Sequence, residues 1–204
     1  MRKKLKIVTL DGIDGIGKTS QAIVLSNYFK NLGIPCKINT LKEDDVSFIS
    51  EHIDNIKLFI KENPEGIIIN DGSIAKMMIV DLCNGIKRDD VLEKYKNALY
   101  EYQVLNHLYG ICNILILLDD VSICDERIKK RDSLLGVESR GILDYQKEVV
   151  LMEGMKTFDN HIASKNLIFH IVNTIPEDSI LDINKEVIEI INQNFEIKKP
   201  SKEG

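Results

Sequence analysis

Residues 10–21 read LDGIDGIGKTSQ, and within them Gly12, Gly17, Lys18 and Thr19 satisfy the spacing G-x-x-x-x-G-K-[ST]. Each residue type has a physical use there. Glycines lack a Cβ, so the backbone can curl around an anion and bring its N–H groups close. A helix that starts near Lys18 presents unbonded N–H groups and the positive end of its dipole. The Lys18 ammonium can reach the β- and γ-phosphates of a nucleoside triphosphate, and the Thr19 hydroxyl can ligate Mg²⁺. The amides from Gly15 to Thr19 are therefore expected to form a concave electropositive cradle for a polyphosphate.

Two further groups carry chemistry. Asp71 closes an apolar run in Asn70-Asp71-Gly72. An acid at a strand tip beside such a loop can hold Mg²⁺ through water or take a proton from an acceptor hydroxyl. The second group is basic: Arg127-Ile-Lys-Lys-Arg131-Asp132, followed by Ser139-Arg140-Gly141. Arginines brought in by a closing segment stabilise the charge on a transferring phosphoryl group. Lys129 and Lys130 are expected to point to water.

These groups need elements to position them. Leu5 to Leu10 reads as a buried strand, and apolar residues at Ala22, Leu25, Phe29 and Leu32 mark a helix over 19–32 that stops at Gly33. Cys36–Leu41, Ile67–Ile69, Asn113–Leu118 and Leu167–Val172 are the other strand candidates. Helical spacing recurs over 46–60, 73–82, 89–109, 123–131, 143–162 and 177–191, and residues 132–142 read as a mobile lid. The tail 198–204 is polar and expected to fray. Continuous rather than alternating apolarity marks strands covered on both faces, so the fold class is α/β: three layers, with a five-stranded parallel sheet between helices. Ligands of such sheets sit beyond the carboxyl ends of the strands, where Gly12–Thr19, Asp71 and Asp119 all fall.

Composition narrows the classes. The 204 residues are 44% hydrophobic and 29% charged, in the range of one ordinary globular domain. A net charge of −5 gives no overall basic field, so nucleic acid is not an expected partner. No apolar run approaches a membrane span, and the run after the basic start Met-Arg-Lys-Lys-Leu-Lys is too short for a signal sequence. Cys36, Cys83, Cys112 and Cys124 lie far apart, as buried thiols of a reducing cytoplasm do, rather than as a disulfide or zinc framework.

The loop Leu10-Asp-Gly-Ile-Asp-Gly-Ile-Gly-Lys-Thr-Ser-Gln21 resembles that of thymidylate kinases, which carry acid-Gly-x-Asp-Gly-x-Gly-Lys-Thr-Thr-Gln. Leu117-Leu-Asp119 with Asp125-Glu-Arg127-Ile-Lys-Lys-Arg131 resembles that family's strand and the helix leading into its lid. Ile171-Val-Asn-Thr174 is similar to its adenine-wrapping loop. The resemblance implies a P-loop fold, ATP and Mg²⁺ as cofactors, a homodimer, and transfer of the ATP γ-phosphoryl to a (deoxy)nucleoside monophosphate, with dTMP the leading acceptor. It implies ATP contacts from Gly12, Asp14, Gly15, Ile16, Gly17, Lys18, Thr19, Ser20, Arg127 and Thr174, with Asp14 also meeting the acceptor's sugar hydroxyl. Lys18, Asp71, Arg131 and Arg140 would be catalytic, an arginine from the lid replacing the one that some members carry where Gly15 stands. Thr19 and Asp71 would serve the metal.

Departures from the family pattern fall on the acceptor side. The Asp-Arg-Tyr motif is Asp71-Gly72-Ser73, the Arg-Glu-Pro-Gly-Gly segment is Asn39-Thr-Leu-Lys-Glu-Asp-Asp45, and Phe-x-x-x-Arg is Phe48-Ile-Ser-Glu-His52. A glycine supplies none of the charge-assisted contact of a bidentate arginine. Lys42, Lys76 and Arg88 are the candidate replacement cations, Phe48 is a possible base platform or a core residue, and His52 is expected at the surface. Three functions stay open: a nucleoside monophosphate kinase, a deoxynucleoside kinase whose acceptor has no phosphate, and a nucleotide-binding protein with weak or lost transfer. The Ile-rich face of 46–60 is the patch expected to serve a dimer or the core.

Overall fold

The structure, a computed structural model, describes residues 3–41, 46–118, 121–138, 169–175 and 178–197. Five strands, β1 (Leu5–Asp11), β2 (Cys36–Thr40), β3 (Ile67–Asp71), β4 (Gly110–Leu118) and β5 (Phe169–Thr174), pair in parallel in the order β2-β3-β1-β4-β5. Six helices are described: α1 (Lys18–Asn31), α2 (Val46–Glu62), α3 (Ile74–Cys83), α4 (Arg88–Leu108), α5 (Val121–Leu135) and α6 (Ile180–Asn194).

The expected continuous apolarity is borne out by burial. All of β1 and β3 is buried, because helices cover both faces of the sheet. Alternate side chains feed two cores. Val8, Leu10, Ile67 and Ile69 pack with Ala22, Leu25 and Phe29 of α1 and Ile183, Val187 and Ile191 of α6. Ile7 and Ile68 pack with Ile49, Ile53 and Ile56 of α2 and Val91, Tyr95 and Tyr102 of α4. The Ile-rich face of α2 is therefore interior to a single chain and offers no surface for a dimer.

Several boundaries differ from the sequence reading. β4 begins at Gly110 rather than Asn113, its amide donating to the Lys4 carbonyl at 2.9 Å. α5 runs to Leu135, so the first four residues expected in the lid are helical. Within that extension Asp132 is buried and accepts from Arg131 Nε at 2.8 Å. α6 starts at Ile180, where the Ser179 and Asp182 side chains form a capping box. The expected helix over 143–162, Asp119, Arg140, Lys42 and the tail lie outside the described residues. Cys36, Cys112 and Cys124 are free thiols, the latter two buried. Among the described residues no helix is long and apolar enough to cross a membrane.

Candidate active site

Parallel pairing brings the candidate residues together. β1 lies between β3 and β4, with Leu10 opposite Asp71, and the Gly72 amide donates to the Leu10 carbonyl at 3.0 Å. The ends of β1 and β3, 60 residues apart in sequence, thus open side by side beneath the loop that joins β1 to α1. A cavity of about 820 Å³ spreads from that loop. Asp14, Gly15, Gly17, Lys18, Thr19 and Asp71 line its one end. Met77, Val80, Asp81 and Asn84 of α3 continue the wall, with Lys94 and Tyr95 of α4 beyond them. Arg127 and Arg131 of α5 also line it.

Gly12, Gly15 and Gly17 all take positive φ, so the chain curls tightly between β1 and α1. Gly17 takes φ +100° at the N-cap of α1, a left-handed conformation open to glycine at no steric cost. No side chain caps the helix, and a Cβ on Gly17 would meet nothing within 4 Å. The first amides of α1 stand at the positive end of the helix dipole, where an anion is favoured. Ile16 serves from below: its side chain is buried and its amide donates to the Ile13 carbonyl at 3.4 Å.

Charges crowd the floor of the cavity. Lys18 Nζ donates to the Gly12 and Ile13 carbonyls, both at 2.9 Å, and lies 3.6 Å from Asp14 Oδ1. Lys76 Nζ donates to the same Asp14 oxygen at 2.7 Å. Burial and then Lys76 lower the Lys18 pKa from its ordinary value, while Asp14, Asp71 and Asp11 oppose the change. Asp11 is fully buried at the end of β1, and burial pushes its carboxyl up. Ser73 approaches it short of a full hydrogen bond, and Lys18 and Lys76 pull the other way. Thr19 Oγ1 donates to Asp71 Oδ2 at 2.6 Å. A hydroxyl and a carboxylate already in contact fit a cation that takes part of its oxygen shell from phosphates and water. Among the described residues no group of three or more His, Cys, Asp or Glu forms a metal cage of its own.

The remaining expected residues fall in different places. Arg127 Nη1 donates to the Gly15 carbonyl at 3.4 Å, so α5 closes over the loop. Arg131 lines the cavity with its guanidinium forked onto Asp132, at 2.8 Å from Nε and 2.7 Å from Nη2. Lys129, at the surface, pairs with Asp125. Ser20 is half-buried in the first turn of α1. Thr174 is buried at the end of β5, its hydroxyl donating to the Leu117 carbonyl at 2.9 Å, and it does not line the cavity. Phe48 is half-buried on α2 and also stands apart from the cavity lining.

His52 overturns the expectation of a surface histidine. It is buried, with Nδ1 accepting from Asn39 Nδ2 at 3.0 Å, and burial lowers its pKa to about 4. The cause is the network that holds it: Asn39 Nδ2 also reaches Asn70 Oδ1 at 3.2 Å, and Asn70 Nδ2 reaches Thr9 Oγ1 at 3.4 Å and the Tyr102 hydroxyl at 3.3 Å. The sequence reading also passed over a polar far wall. Asp81 Oδ2 accepts from Lys94 Nζ at 2.7 Å and from the buried Tyr95 hydroxyl at 2.9 Å. No spacing in the sequence marks this wall; it forms only where α4 packs alongside α3 and brings Lys94 and Tyr95 to Asp81 at the cavity.

Solved structures share this architecture. Thymidylate kinase from Ehrlichia chaffeensis superposes with a TM-score of 0.57 at 16% identity, over 93% of this chain and 99% of that one. Thymidylate kinase from Candida albicans gives 0.59 at 15% identity, over 95% and 94%. Deoxyadenosine kinase from M. mycoides, solved with dCMP and dCDP bound, gives 0.53 at 16% identity, over 92% and 98%. The chain therefore has the thymidylate kinase-like P-loop α/β fold. No family model matches the sequence, and no curated protein does.

Proposed function

We propose that the protein is an ATP-dependent nucleoside monophosphate kinase, with dTMP the leading acceptor. The observation that carries this reading is the single constellation of Lys18, Thr19 and Asp71 around an uncapped helix N-terminus, at the mouth of a cavity long enough for a second ligand. The kinase neighbours support it.

The open amides of α1 hold the triphosphate, and Lys18 exchanges its bonds to the Gly12 and Ile13 carbonyls for phosphate oxygens. Thr19 and Asp71 would hold Mg²⁺, which when bound neutralises charge on the β- and γ-phosphates. The acceptor lies along α3, against Met77 and Val80, with its reacting oxygen toward Asp71 and Asp14. Arg131 and Arg127 meet the charge that spreads over the transferring group. Arg140 would reach the site on the same closing segment.

A second reading, a deoxynucleoside kinase, is favoured by Gly72, which stands where the resemblance places an acceptor-phosphate arginine. ADP release from ATP–Mg²⁺ against each ribo- and deoxynucleoside and its monophosphate separates the two. Turnover with monophosphates alone supports the first, turnover with nucleosides alone the second, and none with any acceptor refutes both.

A further inference from the structure

Asp81 of α3 and Lys94 of α4 meet at the far wall of the cavity, which both line. Lys94 Nζ donates to Asp81 Oδ2 at 2.7 Å. The Tyr95 hydroxyl donates to the same oxygen at 2.9 Å, from a residue that is only 1% exposed. Burial, with Asp81 beside it, raises the Tyr95 pKa above its ordinary value, so the hydroxyl stays a donor. Both donors thus fall on Oδ2. Among the described residues Oδ1 accepts from none, although the Asp81 side chain is 13% exposed. The Lys94 ammonium also lies over the Tyr95 ring, 5.2 Å from its centroid. The carboxylate and the ammonium are therefore both held in advance, so binding need not order them.

The approach to this pair suits a flat ring. Met77, Val80 and Asp81 stand at i, i+3 and i+4 on α3, so two apolar side chains share a face with the carboxylate. From Ile74, close to Asp71, to Asp81 the helix rises roughly 10 Å, which separates the wall from the phosphate end of the cavity. A carboxylate only accepts and an ammonium only donates, so the wall is complementary to a ring edge that carries a donor beside an acceptor. From this placement we propose that Asp81 and Lys94 read the base of the acceptor: an N–H on the base edge donates to Asp81 Oδ1, and the carbonyl or ring nitrogen next to it accepts from Lys94 Nζ. Tyr95 is a positioning residue that fixes the carboxylate. His52, at the arginine position of Phe-x-x-x-Arg, is buried against Asn39 and does not line the cavity. The inference rests on the kinase reading and deepens it: selection of the base resides on α3 and α4.

The test is equilibrium binding by calorimetry, which needs no turnover. The four common deoxynucleoside monophosphates, and deoxyribose 5-phosphate, which lacks a base, are titrated into the whole protein and into Asp81→Asn and Lys94→Met. In Asp81→Asn the amide oxygen can keep the bonds from Lys94 and Tyr95, while Nδ2 replaces Oδ1 and turns the acceptor into a donor. The wild type is expected to bind its preferred monophosphate about 30-fold more tightly than deoxyribose 5-phosphate, as charge-assisted contacts provide. Asp81→Asn changes the order of the four bases, and Lys94→Met lowers the preference about tenfold. Thermal melting follows each variant. If Asp81→Asn melts lower but keeps the order of the bases, Asp81 only clamps α3 to α4 and the proposal falls. It falls equally if the wild type binds the four alike, or no more tightly than deoxyribose 5-phosphate. Should Asp81→Asn not fold, Lys94→Met decides, and an unchanged preference there overturns the proposal. A base order that follows Asp81 without ADP release in the parallel ATP–Mg²⁺ assay would refute the kinase reading and leave the wall standing. ADP release with the base order unmoved by Asp81→Asn would do the reverse.

Discussion

A methyl group at Gly15 would lie 2.6 Å from the Cys124 carbonyl and 3.0 Å from an Ile128 methylene, with φ at +78°. Both the backbone angle and the close approach of α5 exclude any side chain there. No residue larger than glycine fits there beneath α5, which accounts for a glycine at this position of the loop. Gly15→Ala is expected to cost about 2 kcal/mol, read as a lower urea midpoint at unchanged slope. Lys18→Ala should abolish phosphoryl transfer. Its helical circular dichroism should match the wild type, since among the described residues the ammonium binds loop carbonyls and Asp14. Near-normal turnover in that variant would remove Lys18 from the mechanism.

Elements meet through polar contacts as well as the two cores. α2 is tied to β2, β3 and α4 by the chain from His52 through Asn39 and Asn70 to Tyr102. His52 titrates near 4 in the folded chain and near 6.5 unfolded, so its neutral form is the folded one. Stability from this group is complete above pH 6.5 and is lost as pH falls toward 4, amounting to roughly 3 kcal/mol. Urea unfolding at pH 7 and pH 4.5 should show a steeper loss in the wild type than in His52→Gln. Equal losses would mean His52 is not held neutral. α6 docks on α1 through Asn184 Nδ2, which donates to Gln21 Oε1 at 3.0 Å, and Gln21 Nε2 donates to the Ile180 carbonyl at 2.9 Å. The Ser179 cap at its start is worth about 1 kcal/mol, so Ser179→Ala should lower the melting temperature by a few degrees.

For the molecule as a whole, a ligand that binds only the folded state raises its stability by mass action. At a hundredfold excess over its dissociation constant, ATP–Mg²⁺ should add about 2.7 kcal/mol. That corresponds to a rise of roughly 5–10 °C in the melting temperature for a chain of this size. Lys18→Ala should flatten the response, and a full shift in that variant would place ATP elsewhere.

The sequence by itself determined the layers and the loop. Apolar runs over 5–10 and 67–69, helical spacing in α1 and α2, and the span from Gly12 to Thr19 are local patterns, set by side-chain period and by the need for glycine. Tertiary structure alone decided where His52 lies, and that Lys18, Asp71 and Lys76 line one cavity. His52 flanks the Ile49, Ile53 and Ile56 face of α2, a position that reads equally well as rim or interior until the helix packs. Lys42, Lys76 and Arg88 are equal candidates as letters in a chain. Lys76 and Arg88 separate only when parallel pairing aligns Leu10 with Asp71 and carries α3 along the cavity, because contacts between residues 60 positions apart depend on sheet register, which no short window of sequence contains.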